Sequence, residues 1–93
     1  MAHLPGDIVY ALTGRDAGKC FAVISAKDNY LYLCDGKNRK VDTPKKKNIK
    51  HVTPEVVNDE FIADKIKKGE MLTNKEIRAS IRSFLMKETD SDY

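Results

Sequence analysis

The sequence predicts a mainly β protein with α, a small five-stranded barrel followed by two C-terminal helices. Three observations lead to it. Short apolar alternations separated by turn residues fill positions 7–52, the pattern changes to helical spacing at Thr53-Pro54, and Thr73-Asn74-Lys75-Glu76 is a capping box. No crossover helix fits between the early strands, so they pair antiparallel. Closing five short strands into a barrel removes edges that they could not otherwise protect.

Asp7 to Leu12 alternates, with Ile8, Tyr10 and Leu12 on one side and Val9 and Ala11 on the other. Thr13 to Gly18 sets two glycines around Arg15-Asp16-Ala17, a turn in which at least one residue needs a positive φ. Lys19 to Ala26 is rich in β-formers, Lys27-Asp28-Asn29 is a tight turn, and Tyr30 to Cys34 is the third strand. Asp35-Gly36 signals a hairpin into a brief strand around Arg39 to Asp42. Pro44 opens a basic loop, and Ile49 to Val52 is expected to close the sheet as the fifth strand. Beyond it, Thr53 suits an N-cap, Pro54 the first helical position and Glu55 the first turn. Val57, Phe61, Ile62 and Ile66 form the apolar face of this first helix, and Gly69 ends it. Ile77, Ile81, Phe84 and Leu85 form the stripe of the second, and the acidic end from Glu88 to Tyr93 is expected to fray. The division is thus a barrel over residues 1–53 and a helical extension over 54–93.

At 93 residues the chain is one small domain with a thin stability margin. No apolar run reaches the ~18 residues of a membrane span. The opening residues lack a signal-peptide pattern, so a cytoplasmic location and no membrane partner are expected. Cys20 and Cys34 stand apart without a CxxC and read as reduced thiols; a zinc site built from them with His3 and His51 would lack any paired ligand spacing. No cofactor, metal or small-molecule substrate is expected. Neither histidine sits in a nucleophile–base arrangement, so the reading is of a protein that is not an enzyme.

Charge is uneven. Residues 1–53 carry ten Lys/Arg against five Asp/Glu, whereas residues 54–93 carry seven against nine. The densest stretch, Lys37 to His51, holds Lys37, Arg39, Lys40, Lys45, Lys46, Lys47 and Lys50 against the single acid Asp42. Such density repels itself unless a polyanion relieves it, and phosphate backbones do so with counterion release. The turn Gly14 to Lys19 adds a second anchor: Gly14 and Gly18 let the backbone approach a phosphate, and Arg15 and Lys19 supply charge. Tyr10, Tyr30, Tyr32 and Phe21 could stack on bases, but their alternation fits core and sheet-face positions better.

Gly6-Asp7-Ile8-Val9, then Thr13-Gly14-Arg15-Asp16-Ala17-Gly18-Lys19 and Phe21-Ala22-Val23-Ile24, resembles the KOW motif of ribosomal proteins and transcription elongation factors. Asp35-Gly36-Lys37-Asn38-Arg39-Lys40-Val41 and Pro44 to Val52 are closer to the archaeal and eukaryotic large-subunit ribosomal KOW proteins and their small bacterial relatives. The likeness covers residues 5–53. Ala17 departs from it where a basic residue is common, and Phe21 where glycine often stands. The resemblance implies an SH3-like barrel with structured RNA, ribosomal RNA foremost, as partner, and a ribosome-associated role in translation. The alternative is a protein-interaction module of the translation or transcription machinery.

Overall fold

Strand alternation sorts the apolar residues of this chain into two cores, one on each face of a single sheet. The computed structural model describes residues 3–54 and 57–90. Its elements are β1 (Asp7–Tyr10), β2 (Cys20–Lys27), β3 (Tyr30–Cys34), β4 (Lys45–Asn48), a 3₁₀ turn (Ile49–His51), β5 (Val57–Asn58), α1 (Glu60–Lys67) and α2 (Asn74–Asp90). The result is a small mixed α/β protein whose five-stranded antiparallel sheet has the order β4-β3-β2-β1-β5.

Val9, Ala11, Phe21, Val23, Leu31 and Leu33 point to one face, where Val52 and Ile49 cover them. Ile8, Ala22 and Cys34 point to the other, beneath Ile62 of α1 and Ile77 and Ile81 of α2. The two-residue period places these sets on opposite faces, and a register shift between Val23 and Ser25 lets β2 bend between the cores. Strands and helices therefore share a core, and the helical segment is packed onto the sheet.

The expected closed barrel is not formed: β4 and β5 are the two edges and do not pair. The reason is local. Asn48 Oδ1 accepts from the Lys50 amide at 3.0 Å and turns Ile49–His51 into a 3₁₀ turn where a fifth strand was expected. The chain then returns to β1 through the Ala11–Val52 bridge, with Leu12 donating to the His51 carbonyl and Thr53 to that of Tyr10. The expected strand at Arg39–Asp42 is a loop, and the expected loop at Lys45–Lys47 is β4, paired with β3 from Leu33–Lys45 to Tyr30–Asn48.

Helix α1 starts later than Thr53-Pro54 suggests. The Thr53 hydroxyl accepts from the Tyr10 amide at 3.0 Å, Val57 joins β5, and Glu55 lies outside the described residues. The cap is Asp59, whose Oδ1 accepts from the Ile62 amide at 3.1 Å while its second oxygen accepts from the Ser80 hydroxyl, joining α1 to α2. Phe61 is exposed rather than inward. Gly69 ends α1 with paired bonds from Gly69 to the Ile66 carbonyl and from Glu70 to that of Lys65. Helix α2 starts on the expected capping box. The Thr73 amide donates to Glu76 Oε1 at 2.9 Å, and the Glu76 amide donates to Thr73 Oγ1 at 3.1 Å. The Lys65 ammonium, at 2.8 Å from Glu76, holds that carboxyl below its ordinary value, with the Thr73 amide adding to the effect. Helix α2 runs to Asp90, through positions expected to fray; 91–93 lie outside the described residues.

Thr73→Ala is expected to cost about 1 kcal/mol in denaturant unfolding, because the Glu76 amide loses its acceptor. Gly36 has φ +77°, and a Cβ there would collide with the Asn74 carbonyl and the Arg78 side chain. Gly36→Ala should therefore cost about 3 kcal/mol, combining left-handed strain with overpacking.

Candidate nucleic-acid interface

The glycine turn and β4 lie side by side. Gly14 and Gly18 have φ of 81° and 85°, and the turn closes with Ala17 donating to the Gly14 carbonyl and Gly18 to that of Ala11. These positive φ values bring the chain back on itself within five residues, so Arg15 and Lys19 project from a narrow tip.

Lys45 and Lys47 stand opposite Leu33 and Leu31, on the face of the inner core, and Lys46 stands opposite Tyr32 on the reverse face. The stems of Lys45 and Lys47 are half-buried along the open edge, and their ammonium groups reach the glycine turn. Lys45 Nζ lies 2.7 Å from Asp16 Oδ2, Lys19 Nζ lies 3.5 Å from Asp16 Oδ1, and Lys47 Nζ donates to the Thr13 carbonyl at 2.8 Å. Asp16 thus gathers two lysines, a role that its place in the turn does not announce in the sequence. The Lys45 ammonium holds the Asp16 carboxyl below its ordinary value, with Lys19 adding to the effect. Lys46 sits 4.4 Å above the centroid of the exposed Tyr30 ring, a cation–π contact that leaves its charge facing outward.

The other basic residues are ordered by a different device. One oxygen of Asp35 accepts from the amides of Lys37, Asn38 and Arg39 at 2.9, 2.9 and 2.8 Å. The loop is pinned to α2 by Val41 donating to Asn74 Oδ1 at 2.8 Å and by Arg78 Nη1 donating to the Gly36 carbonyl at 2.6 Å. Lys37, Arg39 and Lys40 are all exposed there, as are Arg15 and Lys50. Every expected site residue is thus on the surface or at the edge strand, with Lys45 and Lys47 already held by protein acceptors.

Between the glycine turn, the Asp35 loop and α2 runs a groove of about 660 Å³. Lys19 and Lys37 line it together with Arg78 and Arg82 of α2. Tyr10, Ile81 and Met86 form an apolar floor. Burial, with Cys20 and Glu88 adding to it, raises the Tyr10 hydroxyl above its ordinary value. Arg78 and Arg82 are masked in the sequence by the apolar stripe that dominates α2. The signal was their i,i+4 spacing, which puts two arginines on one helix face.

No family model matches the chain, and no curated protein does.

The remaining chemistry is spare. Burial pushes the Cys20 thiol up to about 11 and the Cys34 thiol up to about 12, so both stay protonated and weakly nucleophilic at neutral pH. Among the described residues no three His, Cys, Asp or Glu side chains converge as metal ligands, and no helix is long and apolar enough to cross a membrane.

Asp16 supplies the test of this geometry. Because its folded-state pKa is lowered, the pair with Lys45 contributes stability above the ordinary carboxylate value of 3.8. That contribution is lost only as pH falls through the lowered folded value. Asp16→Asn should abolish this acid-side dependence in pH-resolved melting. It should also spare Lys45 the loss of its carboxylate partner on binding, raising polyanion affinity about threefold with the salt slope little changed.

Proposed function

We propose that this protein binds structured RNA without catalysis, as a KOW-type, SH3-like module working at or near the ribosome. The observation that carries this reading is the basic edge: β4 and the glycine turn meet through Asp16, and the Asp35 loop continues the same charge toward α2. Phosphate groups are the natural complement of lysines spread along an edge and a loop tip, because such contacts need charge and reach rather than one fixed geometry. Lysine reads charge and not base edges, so recognition runs chiefly through the shape of the RNA. The motif likeness of residues 5–53 supports ribosomal RNA as the class, and the antiparallel bridge by which Val52 returns to Ala11 is compatible with an SH3-like arrangement.

Within this reading the residues divide by their freedom. Arg15, Lys37, Arg39, Lys40, Lys46 and Lys50 are exposed and meet phosphates directly. Lys45, Lys47 and Lys19 exchange protein acceptors for phosphate on binding, which makes the complex sensitive to the acceptors they leave.

If about five phosphates are neutralised, log K against log salt should slope near −4 to −5 for a structured RNA hairpin. Arg39→Ala, Lys40→Ala and Lys46→Ala together should weaken binding about tenfold or more, at about 0.5–1 kcal/mol per contact, with the melting temperature unchanged. A flat salt dependence, or undiminished affinity in the triple variant, refutes the reading.

A further inference from the structure

The groove beside α2 has a composition that the basic edge lacks, charged walls over an apolar floor. Lys19, Lys37, Arg78 and Arg82 all line it. Arg78 spends one nitrogen on the Gly36 carbonyl, which fixes its guanidinium at the rim and leaves its other donors available. Arg82 is exposed. Three carboxylates stand near the groove, and Asp16 pairs with Lys19 at 3.5 Å. Asp35 is committed through one oxygen to three backbone amides, and Glu88 lies beside Tyr10 and Cys20. The floor is accessible: Met86 is 60% exposed and Tyr10 is partly covered by Phe84, with ring centroids 6.1 Å apart.

A paired helix offers phosphates but hides its base faces, so it would leave this floor uncovered. An unpaired nucleotide offers both, a charged backbone for the walls and a flat apolar face for the floor. An arginine pair also suits this task better than lysines, since a guanidinium forks onto phosphate and stacks on a ring.

We propose that the groove between α2 and the glycine turn holds one unpaired nucleotide of the bound RNA, its phosphates between Lys19, Lys37, Arg78 and Arg82 and its base over Tyr10 and Met86. This rests on the RNA-binding reading and refines it. The helical half becomes part of the interface, and the protein acquires a preference for a bulge or loop next to a duplex. Lys19 makes the site continuous with the basic edge, which holds the adjoining paired stem.

The test uses the full chain and two RNA hairpins of equal length, one fully paired and one carrying a single bulged 2-aminopurine. The bulged hairpin should bind about tenfold more tightly, with a change in 2-aminopurine fluorescence on binding. Arg82→Gln and Met86→Ala, each on an exposed side chain, should remove the preference and the fluorescence change while the paired hairpin still binds. Arg78 is left intact because it pins the Asp35 loop. Equal affinity for the two hairpins, or a preference that survives both variants, overturns the groove assignment and leaves the basic edge standing. Failure of both hairpins to bind overturns the edge and the groove together. A glutamate-rich peptide that binds through Arg82, with no bulge preference in RNA, gives the groove to a protein partner and also overturns the assignment.

Discussion

The rest of the structure depends on one constraint: a sheet of short strands has two faces, and both must be covered. In this chain they are covered by different means. The helix-side face, Ile8, Ala22 and Cys34, is covered by α1 and α2, and the opposite face by its strands' own side chains packing together with Ile49 and Val52. Both devices must work together, because each strand contributes alternate residues to both cores. A slip of one residue in β1 would exchange Ile8 for Val9 and spoil both faces at once. The helices are therefore part of the same cooperative unit as the strands, and Asp59, which caps α1 and bonds Ser80, is one of the points where the two halves are joined.

The second constraint is electrostatic. Three consecutive lysines on an edge strand would repel one another and expose a strand edge to other chains. The molecule answers both problems with the same residues. Alternation sends Lys45 and Lys47 to one face and Lys46 to the other, and three separate acceptors take up the charges: Asp16, the Thr13 carbonyl and the Tyr30 ring. Lysine along an edge also discourages strand-to-strand pairing between molecules. A surface basic enough for a polyanion can thus be kept on a small fold without disordering its edge.

What could be read from the sequence was whatever local chemistry decides. The capping box at Thr73 and Glu76, the stop at Gly69 and the third strand lie where the residues put them, and the first two strands and the turns beside them differ only at their ends. Two of the misses share one cause, tertiary context overriding weak local preference. Lys45-Lys46-Lys47 has poor β propensity, yet β3 offers a free edge and the inner core accepts the lysine stems. Thr53-Pro54 has the grammar of a helix start, but the Thr53 hydroxyl is drawn to the Tyr10 amide and the helix waits for Asp59. Ile49 to Val52 reads as a strand, and Asn48 turns most of it into a cap. For the candidate site, the basic residues were legible as a cluster of charge. The pairing of the turn with α2 was not, because Lys19 and Arg82 lie far apart in the chain.

The Asp35–Gly36 junction joins the basic loop to the helices. Asp35 folds the basic loop onto its own amides, and Gly36 lets the loop press against the start of α2, where no side chain would fit. Arg78 then bonds the Gly36 carbonyl from the helix side, so the arginine that lines the groove also holds the loop that carries Lys37, Arg39 and Lys40. Ordering a flexible basic loop on binding would cost conformational entropy for each side chain immobilised. Packing against α2 spends that entropy during folding, before any ligand arrives. On this view the helices contribute to binding through preorganisation even at positions they never touch. Loss of the Gly36 contact would then weaken a ligand held by Lys37, Arg39 and Lys40 although every charge remained in the chain.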